Sequence, residues 1–117
     1  MLRKLFVLSE DRFFIKRIEM MSLMLTKLNY FIDLQITSPE NFILPGKDVF
    51  YIIADLDLSD IFSNISEIRN NDAVKYNKII GVYSEENTGT KADAFKTGCD
   101  TVMLKEEFLS LFETIVK

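Results

Sequence analysis

The sequence predicts a doubly wound α/β domain built on a parallel five-stranded sheet. Four short runs are apolar throughout and rich in β-branched or aromatic residues, as is typical of strands buried on both faces: Leu5–Leu8, Val49–Ala54, Ile79–Val82 and Val102–Leu104. A fifth run, Tyr30–Ile36, alternates between apolar and polar residues, which indicates an edge strand. Helical patterns separate the runs, so we expect right-handed crossovers, helices on both faces and the strand order 2-1-3-4-5.

Two helices are predicted before the third strand. The first has one apolar face with residues three or four positions apart: Phe14, Ile18, Met21, Leu25 and Leu28. Ser9 or Asp11 can cap its start. A short second helix is predicted to begin at Ser38, with Pro39 as its first helical residue, and to end before Pro45 and Gly46.

Three further helices follow the third, fourth and fifth strands. The third predicted helix carries Ile61, Ile65 and Ile68. The fourth is capped by Thr88 or Thr90, extends through Phe95 and stops at Gly98. The fifth has apolar residues at helical spacing: Phe108, Leu111, Phe112 and Ile115. Since the chain has 117 residues and no internal repeat or linker, we expect one domain over residues 1–117.

The composition argues against several classes of function. The net charge is −4 and the basic residues form no long run, which disfavours direct nucleic-acid binding. No apolar stretch approaches the ~20 residues of a membrane span, and acidic residues interrupt any signal-peptide core, so a cytoplasmic location is expected. The absence of histidine excludes Ser-His-Asp triads and imidazole metal sites. The single Cys99 is expected to be an inert core residue.

Polar side chains follow the buried strands at the edge where the carboxyl ends of parallel strands meet. They are Glu10, Asp11, Asp55, Tyr83, Ser84 and Lys105. Carboxylates, hydroxyls and an ammonium predict a small acidic site for a phosphoryl group and a hard cation held by oxygen ligands. Asp55 is the leading candidate, because Ser59 and Asp60 are better placed to cap the next helix. The side chain of Asp57 is expected to be a solvated loop charge, while its backbone carbonyl is available to a cation.

Each candidate also has an ordinary structural interpretation. Glu10 and Asp11 suit the N-terminus of a helix, where acidic side chains interact favourably with the helix dipole. Lys105 suits an exposed surface position, as most lysines do. Tyr83 suits an amphipathic cap on a strand end.

Taken together, these residues resemble a response-regulator receiver domain over essentially the whole chain. The resemblance rests on the five β-α units, on Asp55 within residues 52–58, on Lys105 at the end of the fifth strand, and on the segment Ala94–Asp100 before that strand. It implies a flavodoxin-like fold in which Asp55 accepts a phosphoryl group from a histidine kinase or phosphotransfer protein. Lys105 would be the phosphoryl clamp, and Tyr83 and Ser84 would stand at the switch position. The implied Mg²⁺ ligands are Glu10, Asp55, the backbone carbonyl of Asp57 and, in compensation, Asp11.

The sequence departs from the family pattern at five places, one of which is Leu58-Ser59, where the family has Met-Pro after the acceptor. Ser9 replaces the first carboxylate of the acidic pair, so Mg²⁺ binding is expected to be weak, on the order of millimolar. Tyr83 stands where a small hydroxyl residue is expected, and we expect it to crowd the pocket over Asp55. Val102 replaces an aromatic residue in the fifth strand, and Glu106 replaces a proline after the lysine. These departures predict a degenerate receiver whose phosphorylation-dependent switching is impaired.

The leading hypothesis is therefore a non-enzymatic receiver domain of a two-component or phosphorelay pathway that acts through protein–protein interactions. Its expected partners are a kinase or phosphotransfer protein, a downstream effector, and a second copy through the face formed by the fourth helix, fifth strand and fifth helix. One alternative is a competent receiver phosphorylated at Asp55 with Mg²⁺. Another is a small flavodoxin-like enzyme or nucleotide-binding domain, which the lack of a Gly-rich loop after the first strand disfavours. A stand-alone receiver and the front part of a longer protein both remain open.

Overall fold

The computed structural model describes residues 2–117. Five strands within this range form one parallel sheet. Its strands are Leu2–Leu8 (β1), Phe31–Thr37 (β2), Tyr51–Asp55 (β3), Ile79–Tyr83 (β4) and Thr101–Leu104 (β5). The order is β2-β1-β3-β4-β5, and every neighbouring pair is parallel. The predicted sheet order and the predicted edge position of the second strand are both confirmed.

Leu28, predicted on the apolar face of the first helix, instead lies exposed in a 3-10 turn at Thr26–Leu28. The helices differ from the prediction in two further places. They are Arg12–Leu25 (α1), Ile61–Arg69 (α2), Thr88–Thr97 (α3), Lys105–Ser110 (α4) and Phe112–Val116 (α5). The predicted second helix is wrong, because the structure forms only one 3-10 turn at Pro39–Asn41. The fifth predicted helix is interrupted at Leu111 and becomes α4 and α5. The fourth predicted helix is therefore α3.

Packing explains why the second predicted helix stops after one turn. The backbone of Phe42 is extended, and its ring lies edge-on to that of Phe6 in the core, with 6.5 Å between ring centroids. A continued helix would carry this aromatic ring away from the sheet. Pro45 and Gly46 follow shortly afterwards, and both disfavour helix.

Alternate strand residues pack into two cores, one on each face of the sheet. The first includes Phe6, Ile52 and Tyr83 from the strands and lies under α2 and α3. The second lies under α1, α4 and α5 and includes Leu5, Val7, Ile53, Phe108 and Phe112. Cys99 is buried in the first core as predicted, and burial raises the pKa of its thiol to about 12. Within residues 2–117, no helix combines the length and the apolar character needed to cross a bilayer.

Caps fix where the helices start and end around the sheet. Asp11 caps α1, since its side chain accepts a hydrogen bond from the backbone N–H of Phe14 at 3.1 Å. Asn87, rather than Thr88 or Thr90, caps α3 in the same way. The helix α3 ends at Gly98, whose φ of 138° is unfavourable for other residues. The carboxyl ends of β1, β3, β4 and β5 consequently open toward the starts of α1, α2, α3 and α4.

Candidate functional site

The Lys105 ammonium lies among three carboxylates at the carboxyl edge of the sheet. Lys105 directly follows β5, and its side chain is only 9% exposed. Its Nζ lies 3.0 Å from Asp11 Oδ2, 3.0 Å from Asp55 Oδ2 and 2.9 Å from Asp57 Oδ2. The aromatic ring of Phe14 is also close, with its centroid 5.6 Å from Nζ. The structure thus brings together residues that follow β1, β3 and β5.

Asp55 is the most buried member of this group, with 1% of its surface exposed. Its Oδ2 accepts a hydrogen bond from the Ser9 hydroxyl at 2.7 Å and also faces Lys105. Its Oδ1 accepts from the backbone N–H of Asp57 at 3.0 Å. Both oxygens of the candidate phosphoryl acceptor are therefore engaged by groups of the protein.

The Asp57 side chain is exposed, as expected of a loop charge, but it also makes contacts within the site. Its Oδ2 accepts hydrogen bonds from Lys105 and from the Ser84 hydroxyl, the latter at 2.6 Å. The backbone N–H of Ser84 donates to the same oxygen at 3.2 Å. The side chain remains 39% exposed, so the contacts hold it at the rim of the site.

The hydrogen bonds of the cluster favour the charged forms of Lys105, Asp57 and Asp11. Burial opposes the charge on Lys105, but hydrogen bonds to Asp57, Asp55 and Asp11 outweigh it and raise the pKa of this lysine. Burial likewise opposes ionisation of Asp57, yet hydrogen bonds from Ser84 and Lys105 hold the pKa of its carboxyl below the ordinary value. For Asp11, burial is outweighed by the N–H of Phe14 and by Lys105, so its pKa is also lowered. These three groups are therefore charged at neutral pH.

Two predicted site residues, Glu10 and Tyr83, make no hydrogen bond or ion pair within this cluster. Glu10 is exposed and lines a separate cleft next to Leu58 and Ser59. Tyr83 is only 3% exposed and packs in the core under α2 and α3, where it also lines the cleft beside Asp57 and Ser84. It is Ser84 that supplies the hydroxyl beside Lys105. Because β4 ends at Tyr83, the alternation of side chains along the strand no longer determines where Ser84 points.

The residues present do not form a ready site for Mg²⁺. Ser9 contributes a neutral hydroxyl where a carboxylate was expected, and Glu10 faces a different cleft. Within residues 2–117, no three acidic, histidine or cysteine side chains are grouped so that they could hold a metal ion. Mg²⁺ prefers near-octahedral oxygen coordination. The Lys105 ammonium, rather than a metal ion, supplies the positive charge among the carboxylates of this site.

Comparisons with known proteins define the class of fold. Neither a family model nor a curated protein sequence matches the chain. A response regulator from Hahella chejuensis is 17% identical, with 97% of this chain and 92% of that chain covered and a TM-score of 0.78. The Mn²⁺-bound form of the response regulator Rcp1 is 14% identical, with 97% and 89% covered and a TM-score of 0.69.

A third similar structure is a response regulator protein from Burkholderia pseudomallei with a phosphorylated aspartic acid, a calcium ion and citrate. It is 16% identical, with 98% of this chain and 66% of that chain covered and a TM-score of 0.64. At these identities the similarity shows the fold alone. The chain has the fold of a response-regulator receiver domain, as its sequence suggested.

Proposed function

We propose that the chain is a non-enzymatic signalling receiver domain that acts through protein–protein interactions and depends little on phosphorylation. The observation that carries this proposal is the position of the Lys105 ammonium among the carboxylates of Asp11, Asp55 and Asp57. In a receiver fold, this is the edge of the sheet where phosphoryl chemistry is expected. Here an internal cation and internal hydrogen bonds already satisfy the acidic groups.

Asp55 remains the residue we propose as phosphoryl acceptor, with reduced reactivity. With acetyl phosphate as donor, an Asp55 oxygen would form a new bond to phosphorus while the bond between phosphorus and the acetate oxygen breaks. The acetate leaves with that electron pair. The hydrogen bonds from Ser9, Asp57 and Lys105 occupy lone pairs of the attacking carboxylate and therefore slow this step. We propose that Mg²⁺ binds only weakly at Asp55, in about the millimolar range, because one carboxylate of the family's pair is missing and Glu10 faces a separate cleft.

A competent receiver is the second candidate, and one specific observation favours it. Asp55, Lys105 and Ser84 are brought together at the same edge of the sheet, with a hydroxyl beside the ammonium. For either candidate we propose a kinase or phosphotransfer protein and a downstream effector as partners. The proposed docking face consists of α3, β5, α4 and α5, where Phe95 and Leu111 are exposed, and a second copy is a further candidate for it.

Phosphoryl uptake, measured by intact mass, tests the proposal. The wild-type chain, Asp55→Asn and the control Asp60→Asn are incubated with acetyl phosphate and Mg²⁺. We expect partial uptake in the wild type and in the control, and none in Asp55→Asn. An equal mass gain in wild type and Asp55→Asn would contradict the assignment of Asp55. Rapid stoichiometric uptake by the wild type would favour the competent receiver.

A further inference from the structure

The contacts of Asp57 have the chemistry of a filled oxyanion site. Three donors converge on its Oδ2: the Lys105 ammonium at 2.9 Å, the Ser84 hydroxyl at 2.6 Å and the Ser84 backbone N–H at 3.2 Å. An ammonium, a hydroxyl and a backbone amide are the donors that bind phosphoryl oxygens in proteins. The carboxylate of Asp57 satisfies all three from within the chain.

This oxyanion site adjoins the candidate acceptor. The same Lys105 Nζ lies 3.0 Å from Asp55 Oδ2, so Asp55 and Asp57 share one ammonium. The two residues are also linked through the backbone, because the N–H of Asp57 donates to Asp55 Oδ1. A phosphoryl group on Asp55 would therefore compete with the Asp57 carboxylate for Lys105 and Ser84.

We infer that Asp57 is an internal substitute for the phosphoryl group, and that it holds Ser84 and the segment leading into α3 in the ligand-bound arrangement without phosphorylation. The inference rests on the proposed function, since it assigns the regulation of the same site. The Ser84 contacts connect the end of β4 to the turn after β3, and α3 begins four residues after Ser84. The docking face that includes α3 is consequently set by an aspartate of the chain itself.

Removal of the carboxylate should open the site. In Asp57→Ala the oxyanion position is emptied, while the backbone carbonyl at residue 57 is retained. Beryllium fluoride, added with Mg²⁺, serves as the phosphoryl mimic, and its apparent affinity is followed by amide NMR. We expect about tenfold tighter binding than in the wild type, since an internal competitor lowers apparent affinity by the fraction of open sites. The amide signals of Ser84 and Glu85 should also shift before any probe is added.

Two further variants make the experiment decisive. Asp57→Asn keeps the size of the side chain but removes its charge, so a smaller gain in affinity is expected. Asp60→Ala removes a nearby acidic side chain that makes no capping hydrogen bond to α2, and should behave as wild type. Equal or weaker binding in Asp57→Ala, or no binding in any variant, overturns the inference. Phosphoryl uptake from acetyl phosphate that requires Asp55 but is unchanged in Asp57→Ala overturns only this inference. Phosphoryl uptake that persists in Asp55→Asn overturns the proposed function.

Discussion

One buried cation and one partly buried cation hold opposite ends of the sheet in different ways. At the carboxyl edge, every ion-pair partner of Lys105 is a carboxylate. At the amino edge, the guanidinium of Arg69, 20% exposed, donates mainly to backbone carbonyls. Its acceptors are the carbonyls of Lys75, Asn77 and Gly98, at 2.7 to 2.9 Å, and the carboxylate of Asp100 at 2.9 Å.

The difference in acceptors indicates that Arg69 has a structural role, whereas the surroundings of Lys105 can change with pH or with a bound ion. Backbone carbonyls are neutral, do not titrate and are fixed in the chain, so Arg69 joins the loops before β4 and β5 permanently. The carboxylates around Lys105 repel one another and change charge with pH, so their arrangement depends on the cation between them. A site that responds to an added anion or cation needs partners of the second kind.

The largest effect is expected from Arg69→Met, which keeps the aliphatic stem but removes every donor. Three carbonyls then lose hydrogen bonds in a partly buried setting, and we expect the free energy of unfolding to fall by about 4 kcal/mol. Urea denaturation monitored by circular dichroism measures the change. Arg17→Met is the matched control, since Arg17 lies exposed on α1 over the ring of Phe13 and should cost less than about 0.5 kcal/mol. Similar losses in the two variants would contradict the structural role of Arg69.

A somewhat smaller effect is expected from Gly98→Ala, which disturbs the same amino edge. The φ of Gly98 is 138°, and an added Cβ would lie 2.6 Å from Cγ of Arg69. Backbone strain at residue 98 and displacement of the Arg69 side chain should together lower the free energy of unfolding by about 3 kcal/mol. Gly89→Ala in α3 is the control, because its Cβ would meet nothing closer than Asn87 Oδ1 at 3.4 Å. This control should be neutral or stabilising by about 0.5 kcal/mol, and an equal loss in both variants would refute the account.

The sequence was sufficient to predict the sheet, because strand order depends on patterns that a local reading detects. Four apolar runs and one alternating run distinguish central strands from an edge strand. The second helix was predicted wrongly because the start signal at Ser38 and Pro39 is local, whereas the contact of Phe42 with Phe6 is tertiary. A packing contact of this kind overrides a capping signal.

The site was only partly predictable for the same reason. Asp55 and Lys105 end strands, so their meeting follows from the topology. The side chains of Asp57 and Ser84 lie just beyond strands, where the two-residue alternation ceases and turn geometry determines direction. Nothing in the sequence around Arg69 distinguishes it from a surface arginine, since its acceptors are mainly backbone groups of other segments.

The smallest of these effects is expected at the carboxyl edge, from Lys105→Met. At neutral pH this change leaves three carboxylates without their cation, of which Asp55 is buried and Asp57 is half-exposed. Unpaired buried charge is strongly destabilising, but exposure of the other carboxylates reduces the penalty, so we expect a loss of about 2 kcal/mol. Equilibrium unfolding in urea at neutral pH measures this loss, and a loss as large as that of Arg69→Met would remove the contrast between the two cations.

The pH dependence of the stability loss in Lys105→Met is the sharpest test of the comparison between Lys105 and Arg69. The folded-state pKa values of Asp11 and Asp57 are lowered, so their contribution to stability is present above about pH 4 and lost as pH falls through those lowered values. The pKa of Lys105 is raised, so its contribution is lost only as pH rises through that raised value. The difference in stability between wild type and Lys105→Met should therefore shrink between about pH 7 and about pH 3, by less than about 1 kcal/mol because solvent screens the exposed carboxylates. The loss of stability in Arg69→Met should change less over this range, because three of the four acceptors of Arg69 are carbonyls and only Asp100 can titrate. Parallel pH profiles for the two variants would show that both cations are structural.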